Sequence, residues 1–343
     1  MIGYYIENNP ESACSRIRYL NIIKYLNNAN IELYNNKNHS KYSTIFFGRK
    51  FLDEDVKLAK TIKDEGKLLY FDICDNYFHN PNNLESYKKY ASNIKEMMNI
   101  SDKVILSSNE LKKHVIKELP QIKKKIIVIE DAHEEELIAS GNLIDKITSI
   151  LSFIRYKFLM FNKKDLNLVW FGNAKVKNAP AGMLNLINVK SLIEKANKNH
   201  RINLTIISNN KDLYKKYIAN WNIKTHYLEW DNNNFIDILK LQDAALIPIN
   251  INPFTKCKTN NRLVQSIMNN LDVIADEIPS YKEFSKYCFL NNWQKGLEEV
   301  TNSKKNKEKK MIRINGARKV IEEKYLVNTI APKWKNVFNI INQ

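Results

Sequence analysis

Lys258 and Arg262, two cations four residues apart, are the side chains whose type and spacing point first to chemistry. They lie at the mouth of a predicted helix, shortly after an apolar run, Ala244 to Pro248, that predicts a buried strand ending in proline. A helix N-terminus presents free backbone N–H groups and the positive end of the helix dipole. With the two cations, these groups favour a phosphate or diphosphate. A solvated basic loop in a lysine-rich protein is the alternative, and spacing alone leaves both open.

The elements around these cations form a predicted strand, loop, helix, strand unit. The helix opens at about Thr259, whose hydroxyl can cap the first turn. Asn270 suits the left-handed residue that ends the helix, and 273–275 is the next strand. The apolar stripe that docks the helix on a sheet consists of Leu263, Val264, Ile267 and Met268.

The stretch from Lys258 to Tyr281, KTNNRLVQSIMNNLDVIADEIPSY, resembles the C-terminal-domain signature of GT-B glycosyltransferases. The resemblance is strongest to family 4 and its relatives in bacterial surface-glycan clusters. Those enzymes bind the nucleotide sugar against the N-terminus of this helix, commonly with one glutamate near the sugar and one on the ribose hydroxyls. In this chain Lys258 lies near the first glutamate position and Gln265 occupies the second. Gln265 can still hydrogen-bond a ribose, without bringing a charge.

The head of the second half of the chain adds to the resemblance. Leu166 to Phe171 followed by Gly172 resembles the first strand and glycine turn of the family's C-terminal domain. The family often supplies an arginine there for the diphosphate, whereas this chain has Asn173, with Lys175 and Lys177 shortly after. Trp230 falls near the family's donor-base position, although a core tryptophan is the commoner outcome. The donor-binding residues implied by the resemblance are Gly172, Asn173, Trp230, Thr259, Asn260, Asn261 and Gln265.

Two carboxylates follow a predicted strand of the first half, where open α/β sheets bind ligands. The resemblance makes Asp75 a candidate for contact with the acceptor or the transferred sugar, whereas we expect Asp72 to cap the following loop. With Lys258 and Arg262, Asp75 completes the predicted catalytic set. After the first strand, Ser15 and Arg16 are candidates for an acceptor or phosphate loop, and an ordinary capped helix start fits them equally well.

Composition limits the partners. The chain has 343 residues and a net charge of +17, from 54 Lys and Arg against 37 Asp and Glu. Such a surface attracts polyanions. The charge is spread along a chain rich in Lys, Asn and Ile, without a nucleic-acid-binding motif, so we expect compositional bias and no nucleic-acid partner.

The cysteines and the chain start bear on the compartment. The four cysteines are far apart in sequence and have no CxxC spacing, which predicts neither a metal site nor a disulfide framework and fits a reducing cytoplasm. Met1 runs directly into a strand-like segment, so no signal peptide is predicted. No apolar run approaches the ~20 residues that span a bilayer.

Two successive α/β series predict the fold class: two doubly wound, parallel-sheet, Rossmann-like domains facing a cleft. The GT-B assignment itself comes from the resemblance. The predicted strands are 2–6, 44–47, 67–71, 103–106 and 126–129, then 166–171, 202–207, 225–230, 244–248 and 273–275. The predicted domains are an acceptor-side domain at 1–143, a linker helix at 144–163, a nucleotide-sugar domain at 164–322, and a terminal helix at 323–343 that crosses back to the first.

The segment from Ile144 to Phe161 is apolar, with Lys146, Arg155 and Lys157 among its hydrophobic residues. An interdomain helix that packs on both domains is the favoured interpretation. A helix in a membrane interface is the alternative, because basic residues beside exposed Phe and Leu partition there.

The resemblance implies a glycosyltransferase that moves a sugar from a nucleotide-sugar donor to a glycan or lipid-linked acceptor of a cell-surface polysaccharide. It implies a metal-independent, retaining hexosyl transfer with no cofactor, the nucleotide sugar being the substrate. It also implies a cytoplasmic location, with peripheral contact to an anionic membrane surface at the inner face of the plasma membrane. The alternatives are a non-catalytic nucleotide-binding homologue and a GT-B-fold nucleotide-sugar epimerase.

Overall fold

The computed structural model describes residues 1–7, 12–27, 30–135, 137, 141–175, 179–305 and 307–338, and the side chains of 303–305 are not considered. The chain divides into two compact units. Unit 1 comprises Met1–Glu134, Asn252–Thr259 and Glu322–Gln343. Unit 2 comprises Glu135–Ile251 and Asn260–Ile321.

Strands and helices alternate in the first part of the chain, and the six strands form one parallel sheet in the order β2-β1-β3-β4-β5-β6. A π-helical turn, Ser15–Leu20, runs directly into the first helix. The elements are β1 (Ile2–Ile6), α1 (Asn21–Leu26), β2 (Ile31–Leu33), β3 (Thr44–Gly48), α2 (Asp53–Asp64), β4 (Leu68–Ile73), α3 (Glu85–Ile100), β5 (Lys103–Leu106), α4 (Asn109–Glu118) and β6 (Ile126–Val128).

The second part of the chain repeats this pattern, with a parallel sheet in the order β12-β11-β10-β7-β8-β9. The elements are α5 (Leu143–Arg155), β7 (Leu166–Phe171), α6 (Lys190–Asn197), β8 (Ile202–Ser208), α7 (Lys211–Tyr217), β9 (Lys224–Glu229), α8 (Phe235–Lys240), β10 (Ala244–Ile247), α9 (Pro253–Lys256), α10 (Asn261–Met268), β11 (Asp272–Ala275), β12 (Phe289–Leu290), α11 (Trp293–Lys305), α12 (Lys307–Lys324) and α13 (Val327–Val337).

The predicted fold class, α/β with two doubly wound parallel sheets, is confirmed by these two sheets. In each sheet the strand order reverses beside the first strand of the series, β1 or β7. The carboxyl ends of parallel strands around such a reversal are where open α/β sheets bind ligands. The fold therefore directs attention to two sheet edges, one in each unit.

Both faces of the unit 1 sheet are covered because its strands are apolar almost throughout. On β3, Ile45 and Phe47 face one core, and Phe46 faces the other, which also contains α13. Phe46 lies edge-on to Trp334 of α13, with ring centroids 5.6 Å apart. The terminal helix therefore packs within unit 1, and the part of its predicted span beyond 338 lies outside the described residues.

The helix predicted around Ile144 corresponds to α5, and its buried side belongs to a core of unit 2. Its contacts fall in unit 2, where Tyr156 is fully buried in a core with Phe235 and Leu239. Its other side is exposed, with Ile144 at 72% and Leu151 at 60% exposure. An interdomain position for this helix stays a prediction. Among the described residues, no helix is long and apolar enough to cross a membrane.

Candidate functional site

The carboxyl edge of the unit 2 sheet brings a glycine turn and an arginine together. Gly172 follows β7 with φ of +142°, a backbone conformation that residues other than glycine rarely adopt. A Cβ at this position would lie 3.7 Å from Cδ and 3.8 Å from Nη1 of Arg262. Ser208, at the end of β8, fixes the turn by donating its hydroxyl to the Gly172 carbonyl at 2.7 Å. Two residues 90 positions apart, both predicted as donor contacts, therefore lie against each other.

Arg262 is held from its other side by a buried tyrosine. It lies in the first turn of α10 and hydrogen-bonds Tyr281, which is 1% exposed. Burial raises the pKa of Tyr281, and the neighbouring Arg262 partly opposes that rise. The phenol therefore stays neutral and serves as a fixed partner that orients the guanidinium at the strand ends.

Two side-chain amide nitrogens, one just before α10 and one a turn into it, have no hydrogen-bond partner among the described residues. Asn260, 3% exposed, has no hydrogen-bond partner for Nδ2 among the described residues, and the same holds for Nε2 of Gln265. A buried donor without a partner costs about 1–3 kcal/mol, so native structures rarely keep one without a reason. Amide donors beside Arg262 suit a ligand rich in acceptor oxygens, as phosphates and ribose are.

The predicted helix cap is wrong. α10 begins at Asn261, and the residue before it, Asn260, makes no side-chain cap. Thr259 lies one residue before that position, and its hydroxyl donates to Oδ2 of Asp131 at 2.7 Å. Asp131 is 128 residues away in sequence, so no local pattern could predict its bond to Thr259. Among the described residues, the N-cap residue thus does not cover the first turn of α10 with its own side chain, which suits an anion site.

Lys258 and Asp75, two members of the predicted catalytic set, form an ion pair within unit 1. Nζ of Lys258 lies 2.5 Å from Oδ1 of Asp75 and 4.4 Å from the ring centroid of Phe254. Burial alone would raise the pKa of Asp75, but Lys258 and Arg49 outweigh it and lower that pKa. The carboxylate is therefore ionised and paired with the lysine that the sequence placed on the donor diphosphate.

The segment that carries Lys258 is folded onto unit 1. The sequence predicts a polar loop here, but the segment contains the single-turn helix α9, capped by Asn252, whose side chain accepts from the backbone at 3.0 Å. Asn76 donates to the Pro253 carbonyl at 3.1 Å, and Ser108 donates to the Cys257 carbonyl at 2.9 Å. These side-chain bonds fix Lys258 beside Asp75.

A buried ion cluster at the carboxyl edge of the unit 1 sheet escaped sequence reasoning. Arg18 is 2% exposed and binds both oxygens of Asp72, Nε at 3.0 Å and Nη2 at 2.5 Å. Its Nη1 lies 2.6 Å from Oδ1 of Asp131, and Tyr19 donates its hydroxyl to Asp72 at 2.7 Å. Asp72, expected to cap a loop, lies inside β4 and neutralises Arg18. No motif marks such a pairing, because the partners are 54 and 113 residues apart in sequence.

The predicted acceptor or phosphate loop is buried. Ser15 is 0% and Arg16 is 3% exposed. Arg16 binds Glu134 with Nε–Oε1 at 2.7 Å and Nη2–Oε2 at 3.2 Å. Burial raises the pKa of Glu134, and Arg16 opposes that rise. An acceptor role for Ser15 and Arg16 stays a prediction that would require this ion pair to open.

The remaining predicted donor contacts are more loosely placed. Trp230 is half-buried, and its ring packs on Phe235 with centroids 4.3 Å apart and planes tilted by 34°. Its Nε1 donates to Oδ1 of Asn232 at 2.9 Å. Asn173 is exposed next to Gly172, and its Oδ1 accepts from Asn209 at 3.4 Å. Lys175 is exposed, and Lys177 lies outside the described residues.

Two further features of unit 1 went unpredicted. The thiols of Cys14 and Cys74, distant in sequence, lie 3.3 Å apart. A cavity of about 620 Å³ opens beside β1, with tyrosine rings and the carboxylate of Glu7 in its wall. Within the described part of the chain, no cluster of His, Cys, Asp and Glu has the arrangement of a metal site.

Comparison with known proteins identifies the fold. No protein-family model matches the sequence, and no characterised protein matches it by sequence. HepE from Anabaena, solved in complex with UDP, is similar with a TM-score of 0.66 and 11% identity over 99% of this chain and 100% of that one. WaaG, a glycosyltransferase involved in lipopolysaccharide biosynthesis, gives 0.62 and 9% over 99% and 100%. TarM from S. aureus gives 0.59 and 16% over 86% of this chain and 55% of that one. The chain has the GT-B fold that the sequence predicted.

Proposed function

We propose that this chain is a glycosyltransferase that moves a sugar from a nucleotide-sugar donor to a glycan or lipid-linked acceptor in cell-surface polysaccharide biosynthesis. The observation that carries the proposal is the first half of α10, where Arg262 lies on the Gly172 turn. The amide nitrogens of Asn260 and Gln265 nearby in sequence have no partner among the described residues. In HepE, the same fold is solved with UDP and with UDP and glucose. We therefore assign a uridine-diphosphate sugar as the first donor to test.

Arg262 and the backbone N–H groups at the start of α10 act on the leaving group. As the bond between the sugar C1 and the diphosphate oxygen breaks, negative charge grows on that oxygen and is stabilised by the guanidinium and the helix N-terminus. The acceptor hydroxyl forms the new bond to C1, and its proton passes to the departing diphosphate. These fixed cationic groups supply the charge stabilisation that a metal ion gives elsewhere, so the proposed transfer is metal-independent.

Gln265 and Asp75 have separate proposed roles. Gln265, one turn into α10, hydrogen-bonds the ribose of the donor. Asp75, ionised and 17% exposed, serves the transfer step. Lys258 keeps the carboxylate of Asp75 ionised by lowering its pKa. We further propose that the donor carries a hexose and that the transfer retains the configuration at the anomeric carbon. The proposed location is the inner face of a membrane.

A non-catalytic nucleotide-binding homologue is the second candidate. The observation that favours it is the Lys258–Asp75 ion pair, which engages both a predicted catalytic cation and a predicted catalytic carboxylate. Such a protein would bind the nucleotide at α10 as strongly as the enzyme would, without turnover.

A donor panel followed by a turnover assay separates these functions. Thermal unfolding is measured with UDP, GDP, UDP-glucose and UDP-N-acetylglucosamine, and the best sugar nucleotide is then followed for release of nucleoside diphosphate with a glycan acceptor mixture. We expect a rise in melting temperature for a UDP compound and release that depends on acceptor. Binding without release would identify the non-catalytic homologue, and the absence of any shift would refute both functions.

A further inference from the structure

An exposed apolar surface lies along α5 in unit 2. We call it the α5 apolar face. The exposed fractions run from 44% for Ile154 to 72% for Leu143. The π-helical turn after α5 extends it with Phe158, 76% exposed, and Leu159, 70% exposed. Folded proteins rarely leave so many large apolar side chains together in water without a partner. The α5 apolar face consists of Leu143, Ile144, Ile147, Ile150, Leu151 and Ile154.

The opposite side of α5 fixes the helix to its unit. Ser149 is buried and hydrogen-bonds the carboxylate of Asp231, and Asn234 donates to the Ser149 carbonyl at 3.1 Å. Phe153 packs against the core that contains the fully buried Tyr156. Tyr156 in turn bonds Gln242 at 2.9 Å. The exposed face is thus presented in a fixed orientation by an anchored helix.

Basic side chains border the α5 apolar face on both sides. With 3.6 residues per turn, its six residues fall within an arc of about 120°. Lys146 lies about 40° beyond one edge of that arc, and Arg155 lies about 20° beyond the other. The single acid of the helix, Asp145, lies away from the arc and forms a capping box with Asn142. An apolar stripe between basic flanks is the pattern of helices that lie in a membrane interface.

We propose that the α5 apolar face binds the surface of an anionic phospholipid membrane, with the helix lying parallel to that surface. The apolar side chains enter the boundary between headgroups and acyl chains, and Lys146, Arg155 and Lys157 contact lipid phosphates. Long basic side chains suit this position, because their stems stay apolar while their charges reach the headgroups. A second copy of the chain is a poorer occupant, since pairing two such faces would bring flanks of like charge together.

This inference deepens the membrane location in the proposed function by naming the surface that binds the lipid, and that surface contains none of the donor residues. It holds even if the chain transfers no sugar. Its test needs no nucleotide, so failure of membrane binding and failure of donor binding are separate results.

The first experiment removes apolar side chains. Flotation of the whole chain with vesicles of phosphatidylglycerol and phosphatidylcholine is compared for the unmodified protein and for the double variant Leu151→Ser, Phe158→Ser. Both residues are exposed, so the fold is expected to stay intact, as circular dichroism would verify. We expect the partition coefficient to fall about tenfold or more. The matched control is Ile312→Ser on α12, a residue 66% exposed outside this face, which should leave binding unchanged.

The second experiment separates the charge. Lys146→Gln with Lys157→Gln should weaken binding to anionic vesicles several-fold and should flatten its dependence on salt. Lys319→Gln on α12, also exposed, is the control of equal charge change per site. Unmodified protein should show much weaker binding to vesicles of phosphatidylcholine alone.

Three results would overturn the proposal. One is no binding of the unmodified protein to anionic vesicles at low salt. Another is binding that the Leu151→Ser, Phe158→Ser variant retains in full. The third is a dimer in sedimentation that this variant dissociates, in the absence of vesicle binding, which would make a second copy the occupant.

Discussion

The carboxyl edges of the two sheets have similar topology and use their charged groups differently. In unit 1 the charges pair with one another: Arg18 with Asp72 and Asp131, and Lys258 with Asp75. In unit 2, Arg262 lies on a glycine turn beside amide donors that have no partner among the described residues.

This difference indicates that the charged groups of unit 1 stabilise the fold, whereas those of unit 2 are available to a ligand. The ion pairs of unit 1 join segments that are far apart in sequence, so their removal should cost stability. The donors of unit 2 suit acceptor oxygens such as those of the proposed nucleotide sugar, so we expect their removal to lower affinity for it. Variants at the two edges can break this contrast or sharpen it.

The largest expected effect is on the stability of unit 1. Arg18→Ala should lower the free energy of unfolding by about 3–5 kcal/mol, because it leaves the carboxylates of Asp72 and Asp131 buried without their cation. Urea denaturation followed by circular dichroism measures the loss. Arg262→Ala is the matched control in unit 2 and should cost about 1 kcal/mol or less. Equal losses for the two variants would contradict the contrast between the edges.

Acid should destabilise unit 1 through a buried histidine. Burial lowers the pKa of His133 to about 4, from an ordinary value of about 6.5 in the unfolded chain. Between pH 6.5 and 4 the unfolded chain binds a proton at His133 and the folded chain does not. The stability of the fold is therefore fully kept above pH 6.5 with respect to this group, and it falls as the pH drops toward 4. We expect the free energy of unfolding to drop by about 3 kcal/mol over that interval from this group.

Denaturation curves at several pH values test this expectation. His133→Gln should flatten the profile between pH 6.5 and 4, whereas the exposed His200→Gln should leave it as in the unmodified protein. An identical acid dependence in the His133 variant would show that other groups produce it.

Donor affinity should respond most to Arg262. Arg262→Ala should weaken UDP binding by about 2–3 kcal/mol, since a charge-assisted hydrogen bond to a partly buried phosphate is lost. Lys258→Ala should have a smaller effect, because its ammonium group is paired with Asp75. Isothermal titration calorimetry measures both. Unchanged UDP affinity in both variants would refute the assignment of the diphosphate to this site.

The sequence predicts the fold more fully than the site because fold signals are local. Apolar runs such as Ile202–Ser208 predict buried parallel strands by themselves. Asn270 was predicted as the left-handed residue after α10 and has φ of +64°. The sequence from Leu184 to Ala196 predicts a single helix, but the chain forms a 3-10 turn, Met183–Val189, before α6.

Site details depend on partners that sequence spacing does not reveal. Thr259 donates to Asp131, and Lys258 forms an ion pair with Asp75. In both cases the two residues are more than 100 positions apart in sequence. Gly172 and Arg262 could be predicted together only through the family resemblance, since glycine turns and lone arginines are common. Arg18 carried no signal, because a buried arginine looks like a surface one until its carboxylates are placed.

The smallest expected effect concerns Gln265 and distinguishes donor binding from the transfer step. Gln265→Ala should weaken UDP binding by about 1 kcal/mol, the worth of a neutral hydrogen bond, with little change in turnover at saturating donor. Asp75→Asn, which keeps the shape of the side chain in unit 1, should instead lower turnover while leaving UDP affinity within twofold. Calorimetry and steady-state kinetics on the two variants give the four values required. If Gln265→Ala binds UDP as the unmodified protein does, the unpaired amide serves another ligand. If Asp75→Asn retains full turnover, the ion pair with Lys258 is structural, like the other charge pairs of the unit 1 edge.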